Sequence, residues 1–202
     1  MANNPATIVL ASGSAIRGQL LRHAGVAFRV DPADIDERAV LALAAVRELD
    51  RPRQAAWLAA AKAQSVCRRH PGAFVIGADQ MLELDGEILH KAPDASAARE
   101  TLLRMRGKAH HLHSGWALFE DGQLIKSDVS SAKLTVRDFS DAWLDAYVAA
   151  NAGALTQSVG AYQLEGEGIQ LFSHIEGDYF TILGLPLLPL LAQLRQFGLL
   201  ED

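Results

Sequence analysis

The sequence predicts an α/β fold with a mixed β-sheet, and three observations lead to this prediction. Short β-branched or apolar runs alternate along the chain with longer segments that carry one apolar face. Two Asp-Gly pairs, Asp85-Gly86 and Asp121-Gly122, separate strand-like runs and predict antiparallel hairpins within that alternation. No repeat, low-complexity tract or linker divides the 202 residues, so we expect a single domain over 1–202.

The N-terminal part of the chain predicts two strands and three helices. β-branched residues between helix- and strand-breaking residues favour the two strands. A serine at the N-cap position favours the start of the first helix, and a proline in the first turn favours the start of the third helix. The predicted elements are a strand at 7–11, a helix from Ser14 to about His23, a strand at 26–30, an alanine-rich helix after an acidic turn at 31–38, and a helix near Pro52 with its body at 55–69.

The remainder predicts further strands, two hairpins and three helices. Ser140 is expected to begin a helix that buries Trp143, Tyr147 and Val148, and the small polar residues after it favour a loop. The predicted elements are strands at 74–77, 81–84, 87–89, 111–119, 127–136 and 169–174, a helix that Asp94 or Ser96 caps and that ends at Met105, a loop at 149–160, and a final helix from Gly184.

Composition narrows the classes of function. A net charge of −5 argues against a nucleic-acid partner that needs a broad basic surface, although a small anionic ligand in a locally basic site remains compatible. The single cysteine, Cys67, excludes an intrachain disulfide framework and fits a reducing compartment. No apolar run is long enough to span a membrane. We therefore expect a soluble cytoplasmic protein.

A cluster of small polar residues and one cation follows the first predicted strand. Ser12 and Ser14 flank Gly13, and Arg17 lies in the first turn of the next helix. Their hydroxyls, the free backbone amides of a helix N-terminus and a forked guanidinium suit a phosphate group. An ordinary helix cap with a surface arginine suits the same residues, and the loop by itself leaves both interpretations open.

Acidic and basic residues complete the candidate site. Asp36-Glu37 and Asp79 are expected at strand ends, where two carboxylates suit Mg²⁺ and one beside a metal-bound water can act as a general base. Asp36-Glu37 would equally favour the N-terminus of the next helix. Lys62 and Lys91 are each compatible with a solvated lysine, but with the acids and the loop they outline a triphosphate site.

The histidine group HHLH at 110–113 is a weaker candidate. On a strand, His111 and His113 share one face while His110 points to the other. A zinc ion needs further ligands, which a chain with one cysteine does not readily offer. We favour a half-exposed strand.

Seven segments, in this order and spacing, resemble the Maf family of nucleoside triphosphate pyrophosphatases: ASGSAIRGQLL, DIDER, AAAKAQ, IGADQ, HKAPDASAARETLLRMRGKAHHLHSG, GAYQLEGEG and GDYFTILGLP. The resemblance implies a fold similar to the inosine-triphosphate pyrophosphatases, an elongated mixed sheet flanked by helices with a deep central cleft. It also implies cleavage of a modified nucleotide to its monophosphate and pyrophosphate with Mg²⁺ or Mn²⁺, and a homodimer.

The resemblance assigns roles to particular residues. Asp79 would be the proton acceptor that activates water, and Glu37 would hold the metal together with Asp79. The residues that would bind the phosphates and stabilise their charge are Ser12, Ser14, Arg17, Lys62 and Lys91.

Two pairs of residues resemble the 7-methyl-GTP branch of the family. Members that act on dTTP and UTP have Asp-Thr and Gln-Gly where this chain has Asp79-Gln80 and Glu165-Gly166. Guanine offers two parallel donors, N1–H and the 2-amino group, which one carboxylate can accept. We therefore predict that Glu165 reads the base, with a solvated turn glutamate as the alternative.

The chain departs from the family pattern at four positions. Ile16 stands where relatives have arginine or, in the 7-methyl-GTP branch, tryptophan, so we class it with Gln80 and Glu165 as a specificity residue. The other departures are Ala92 for proline, Ala154 for glutamate and Ser158 for lysine. They bear on substrate preference more than on reaction type.

Two alternatives remain open at this level. One is a dTTP/UTP or broad-specificity pyrophosphatase, which a panel of nucleotides would distinguish from the 7-methyl-GTP enzyme. The other is a nucleotide-binding regulatory protein of cell division with weak catalysis.

Overall fold

The computed structural model describes residues 7–201, apart from the side chain of Ala44, and these residues form a mixed α/β structure. Seven strands make one sheet in the order β2-β1-β3-β5-β6-β7, with β4 paired to β3. The strands are β1 (Ile8–Leu10), β2 (Arg29–Val30), β3 (Phe74–Leu84), β4 (Glu87–Leu89), β5 (Ala109–Glu120), β6 (Gln123–Val136) and β7 (Phe172–Glu176). Because β1 pairs with β2 and β3 in parallel and β7 pairs with β6 antiparallel, the predicted fold class is confirmed.

Eight α-helices and one 3₁₀-helix are described. The helices are α1 (Ala15–His23), α2 (Glu37–Ala42), α3 (Ala44–Arg47), α4 (Arg51–Cys67), α5 (Ala95–Met105), α6 (Asp141–Leu155), α7 (Tyr179–Ile182) and α8 (Leu187–Gln196), and the 3₁₀-helix is Glu167–Leu171. None of the helices within residues 7–201 is long and apolar enough to cross a membrane.

The chain groups into two compact units. Unit 1 comprises Met1–Gln80, His113–Ser130 and Tyr179–Asp202, and unit 2 comprises Met81–Leu112 and Ser131–Asp178. A single domain over the full chain stays a prediction, as does the central cleft.

Local signals set the hairpins and most helix starts. Both central residues of the Asp85-Gly86 and Asp121-Gly122 turns have positive φ, which is the type I′ geometry that Asp-Gly favours. Asp94 and Ser140 each accept a hydrogen bond from the backbone N–H three residues later, at 2.9 and 3.2 Å. The hairpins and these two caps are therefore confirmed, and Asp94 rather than Ser96 caps α5.

The third predicted strand does not end before Asp79. Residues 74–84 form one continuous strand, β3, whereas the sequence predicted separate strands at 74–77 and 81–84. Gly77 lies within this strand, and a Cβ at that position would overlap the carbonyl oxygen of Ala59 and the backbone of Ala63 on α4. The absence of a side chain lets the helix pack directly on the strand, which runs on beneath it.

Several further boundaries differ from the prediction. β6 begins at Gln123 rather than at 127, and α2 and α3 stand in place of one alanine-rich helix. β2 is limited to Arg29–Val30, and α6 extends to Leu155 through most of the predicted loop at 149–160, because alanines favour helix and Leu155 is buried. Residues 169–171 belong to the 3₁₀-helix, so β7 begins later than predicted. The final helix starts at Leu187, and the sequence did not predict α7 in the segment before it.

The histidine group does not lie on a half-exposed strand. His110 and His113 are both buried, and only His111 of the three is exposed. Nε2 of His110 lies 2.8 Å from the hydroxyl of Tyr162, and its ring also contacts Phe172. The prediction was wrong here because β5 is covered for nearly its whole length.

Candidate active site

Asp79 is the centre of the candidate site in unit 1. It lies inside β3 and shares the strand face of Gly77, because side chains two residues apart point to the same side of a sheet. This is the face on which α4 packs. Asp79 is therefore only 6% exposed, which is unusual for a carboxylate and requires a charged or polar partner.

Lys62 is that partner, and it also contacts a second carboxylate. Its Nζ lies 2.5 Å from Oδ1 of Asp79 and 2.6 Å from Oε1 of Glu37. Lys62 follows the Ala59 turn of α4, which Gly77 brings against β3. The Lys62 side chain is 13% exposed and the Glu37 side chain 51%, so the cluster has one buried end and one open end.

Burial dominates the electrostatics of the cluster. Desolvation raises the pKa of the Asp79 carboxyl above its ordinary value, and the positive charges of Lys62 and Arg17 oppose this shift. Glu37 raises the Asp79 pKa further as a like charge. The position thus favours a carboxylate that binds a proton more readily than an ordinary aspartate.

Arg17 is bound to the protein rather than exposed. Its Nη1 donates to Ser12 Oγ and to the carbonyl of Ala78, both at 2.9 Å, and its Nε donates to the carbonyl of Gly184 at 2.8 Å. Ala78 lies two residues beyond Ile76, where the pairing of β1 with β3 ends. Desolvation lowers the pKa of the Arg17 guanidinium, while Asp79 and Glu37 favour its charged form. Arg17 thus joins the opening loop to β3 and to the segment before α8.

The opening loop has the geometry of an uncapped helix start. Ser14 occupies the N-cap position of α1, but within the described residues its side chain bonds no backbone amide there. Ser12 is buried, and its Oγ lies 3.4 Å from the backbone nitrogen of Ser14. Ile16 is half-buried in the first turn of α1. The first-turn amides, which a helix leaves without intrahelical partners, are the donors that an anion would use.

Asp36 and Glu37 have different roles. The Asp36 side chain caps α2 by accepting from the Ala39 N–H at 3.0 Å, as the structural alternative for this pair predicted. Glu37, the next residue, contacts Lys62 instead. Of the pair, only Glu37 lies in the candidate site.

Gln80 points away from Asp79, as neighbouring residues of a strand do. Its Nε2 lies 3.0 Å from Ser114 Oγ, 3.1 Å from the Thr181 carbonyl and 3.0 Å from the Ile182 carbonyl. Gln80 therefore binds the C-terminal end of α7.

Lys91 and Glu165 belong to unit 2. Lys91 is exposed in the connection after β4, and Ala92 beside it is buried. Glu165 is exposed in a turn in which the Gly166 N–H donates to the Gln163 carbonyl at 3.2 Å. Their predicted roles in binding phosphate and in reading the base stay predictions.

Ser158, one of the departures from the family pattern, has a structural role in unit 2. Ser158 closes the loop after α6, because its Oγ donates to the Tyr162 carbonyl at 2.6 Å and accepts from the Tyr162 N–H at 3.1 Å. Ala154 is half-buried in the last turn of α6.

The structure brings together six of the predicted residues in unit 1: Ser12, Arg17, Glu37, Lys62, Asp79 and, on the opposite face of β3, Gln80. Sequence reasoning assigned no role to Ser114, Thr181 or Gly184, which bind Gln80 and Arg17. The segments HHLHSG and GDYFTILGLP contain them, but their contacts are long-range and no local pattern marks them.

Comparisons with known proteins give several relatives over nearly the full length. The family described as Maf-like protein matches residues 7–197. A nucleoside triphosphate pyrophosphatase of Maricaulis maris is 52% identical over 96% of this chain and 98% of its own length. Two 7-methyl-GTP pyrophosphatases, from Brucella abortus and Bartonella quintana, are 49% and 44% identical, over 94% and 97% of this chain and 95% and 98% of their own lengths.

Among solved structures, a HAM1 protein from Coxiella burnetii aligns with 65% of this chain and 73% of its own. The TM-score is 0.43 and the sequence identity 15%, a likeness too low to bear on function.

Proposed function

Because this chain belongs to the Maf-like protein family, we propose that it is a nucleoside triphosphate pyrophosphatase that acts best on 7-methyl-GTP. The match over residues 7–197 confirms the predicted family. The proposed reaction adds water to the α-phosphate and breaks the bond from the α-phosphorus to the oxygen that bridges to the β-phosphate. The products are the nucleoside monophosphate and pyrophosphate.

The observation that carries the proposal is the convergence of Asp79, Glu37 and Lys62. A buried carboxylate with a raised pKa lies beside a second carboxylate and a nearly buried ammonium. The carboxylate suits the removal of a proton from water, and the ammonium suits the charge on transferring phosphates. The Lys62–Asp79 ion pair would need no second carboxylate if its role were only structural. The additional contact of Lys62 with the more exposed Glu37 therefore supports a functional site.

In the proposed mechanism, Asp79 accepts the proton of the attacking water as the oxygen bonds to the α-phosphorus. Lys62 and the first-turn amides of α1 stabilise the negative charge on the phosphates, and Ser12 and Ser14 donate hydroxyl hydrogen bonds to them. Arg17 holds Ser12 and the backbone beside Asp79 in position and contributes a positive charge close to both carboxylates. Lys91 is proposed as a further phosphate ligand.

The carboxylate pair fits a divalent cation. Oxygens of Asp79 and Glu37 already converge on one cationic atom, the Nζ of Lys62, and two carboxylates are the donor set with which Mg²⁺ completes its shell from water and phosphate oxygens. We propose that these two residues hold Mg²⁺ or Mn²⁺, which supplies Lewis-acid polarisation of the phosphate when bound.

The preference for 7-methyl-GTP rests on Glu165 and on the relatives. An exposed turn carboxylate is able to accept both parallel donors of guanine, and a methylated, cationic purine would favour the negative charge further. Several relatives carry the 7-methyl-GTP name. The cytoplasmic location and the homodimer also stay proposals, and light scattering after gel filtration tests the latter.

A nucleotide panel tests the proposal. We expect pyrophosphate release with Mg²⁺ or Mn²⁺, fastest with 7-methyl-GTP, and loss of turnover when EDTA removes the metal. A tenfold faster reaction with dTTP or UTP would reassign the substrate to the pyrimidine branch. Glu165→Gln should erode the purine preference, and an unchanged profile would remove Glu165 as the base reader.

Asp79→Asn separates catalysis from binding. Loss of a general base is expected to lower kcat by a factor of about 10² to 10⁴ while nucleotide binding persists. Binding without any pyrophosphate release by the wild-type chain would instead support the regulatory alternative.

A further inference from the structure

We propose that Gln80 and Ser114 are positioning residues that set nucleotide preference through the 181–184 segment, without touching the base. The inference deepens the proposed function and rests on it. The name "181–184 segment" covers the last two residues of α7 and the first two residues of the connection to α8.

The amide donors of Gln80 are already engaged by the protein. Three oxygens lie within 3.1 Å of Nε2: Ser114 Oγ and the carbonyls of Thr181 and Ile182. An amide nitrogen has two hydrogens, so binding a base through them would cost contacts that hold α7. This is the arrangement of a residue that fixes a backbone segment.

Ser114 completes the attachment from the neighbouring strand. It is fully buried on β5, and its hydroxyl donates to the Thr181 carbonyl at 2.7 Å while accepting from Gln80. The carbonyl of Thr181 is therefore bonded from two strands at once. Loss of either side chain leaves a buried carbonyl with one donor fewer.

The other end of the segment is bound by Arg17. Gly184, with φ of +93°, directs its carbonyl to Arg17 Nε at 2.8 Å. A Cβ on Gly184 would lie 3.4 Å from Arg17 Nε and 3.6 Å from Gln80 Cδ, so both side chains pack against this one glycine. The segment is thus fixed at both ends.

Movement of the segment therefore reaches the candidate active site. Arg17 also bonds Ser12 and the carbonyl of Ala78, the residue before Asp79, and Ile16 is its neighbour in α1. Gln80 is in this way joined to Arg17 through residues 181–184. A substitution at Gln80 would change the pose offered to the nucleotide by shifting this network.

Hydrogen exchange tests the attachment by itself, whatever the enzyme's substrate. In Ser114→Ala and in Gln80→Glu, which keeps the size but removes the donors, the amides of Leu183, Gly184 and Leu185 should exchange faster than in the wild type. Ser127→Ala, the same change at a half-buried position of β6, is the matched control and should exchange as the wild type does. Unchanged exchange in both variants would overturn the inference.

Kinetics test the consequence for preference. Ser114→Ala should change the ratio of kcat/KM for 7-methyl-GTP to that for UTP by about threefold to tenfold, the effect of one hydrogen bond, mainly through KM. Gln80→Glu, which removes contacts to three oxygens, should change the ratio at least as much. The double variant should change it no more than the larger single effect, because both act through the same segment. Gln80→Thr introduces the residue of the pyrimidine branch, and it should change the same kcat/KM ratio as Gln80→Glu does.

Two results would overturn the inference. One is a Gln80→Glu variant with altered preference beside a Ser114→Ala variant with the wild-type preference, which would indicate direct contact of Gln80 with the base. The other is an equal loss of activity on all nucleotides. If the wild-type chain releases no pyrophosphate, the proposed function fails, and the same ratio is then measured as Kd values of the two α,β-methylene analogues.

Discussion

Lys62 is the residue on which the charges of the candidate site depend. Its ammonium is shared between Asp79 and Glu37, and it opposes the desolvation that raises the Asp79 pKa. A solvated lysine was the structural alternative for this mid-helix position. The structure excludes that alternative, since the side chain is 13% exposed.

This arrangement predicts the pH dependence of the reaction. Asp79 must be unprotonated to accept a proton. The acid limb of kcat/KM reports the free enzyme, before metal and nucleotide bind, and should therefore lie above the ordinary aspartate pKa of about 3.9. Removing the ammonium in Lys62→Met takes away the largest opposing charge. The Asp79 pKa then rises, and the acid limb should move to higher pH, in addition to a loss of kcat. A pH–rate profile with 7-methyl-GTP measures both effects.

Lys126→Met is the matched control for this experiment, because Lys126 is exposed on β6. It should leave the position of the acid limb unchanged. An acid limb that stays in place in Lys62→Met would argue against Asp79 as the titrating base.

At the scale of elements, the close packing of α4 on the sheet creates the site. Two glycines allow it: Gly77 on β3 faces Ala59 and Ala63, and Gly115 on β5 faces Ala55 and Ala56. A helix with larger residues at these points would stand further from the sheet. Lys62 would then be too distant to contact a carboxylate in the middle of β3.

Gly77→Ala tests this packing. The new methyl group would overlap a backbone carbonyl, which cannot rotate away as a side chain does. We expect a loss of about 3 kcal/mol in the free energy of unfolding, the upper part of the range for overpacked cores. Urea titration followed by circular dichroism measures it.

Gly153→Ala is the same chemical change at an open position, and we expect it to raise the free energy of unfolding instead of lowering it. Gly153 lies within α6, and no described atom comes within 4 Å of the Cβ position. Alanine is the better helix former, so this variant should gain up to about 1 kcal/mol. Equal effects of the two substitutions would contradict the close packing of α4.

At the scale of the whole molecule, His110 links stability to pH. Burial lowers the pKa of its imidazole to about 4, so the folded chain binds this proton more weakly than the unfolded chain does. The stability from neutral His110 is fully present above pH 6.5 and is lost as the pH falls towards 4. The shift corresponds to about 3 kcal/mol.

We expect His110→Gln to lose less unfolding free energy than the wild type between pH 6.5 and pH 4, by up to about 3 kcal/mol. His90→Gln, the same change at an exposed position after β4, should follow the wild-type curve. Parallel curves for the wild type and His110→Gln would show that His110 does not titrate on unfolding.

The sequence by itself determined the α/β class, both hairpins, the capped starts of α5 and α6, and the family. These features depend on neighbouring residues, such as an Asp-Gly pair that adopts positive φ or an acid that accepts from an amide three residues later. Only the tertiary structure decided that Asp79 lies within a strand, that Lys62 joins it to Glu37, and that Gln80 and Arg17 bind residues 181–184. These contacts connect positions up to 167 residues apart, and burial sets their strength, so no local pattern specifies them.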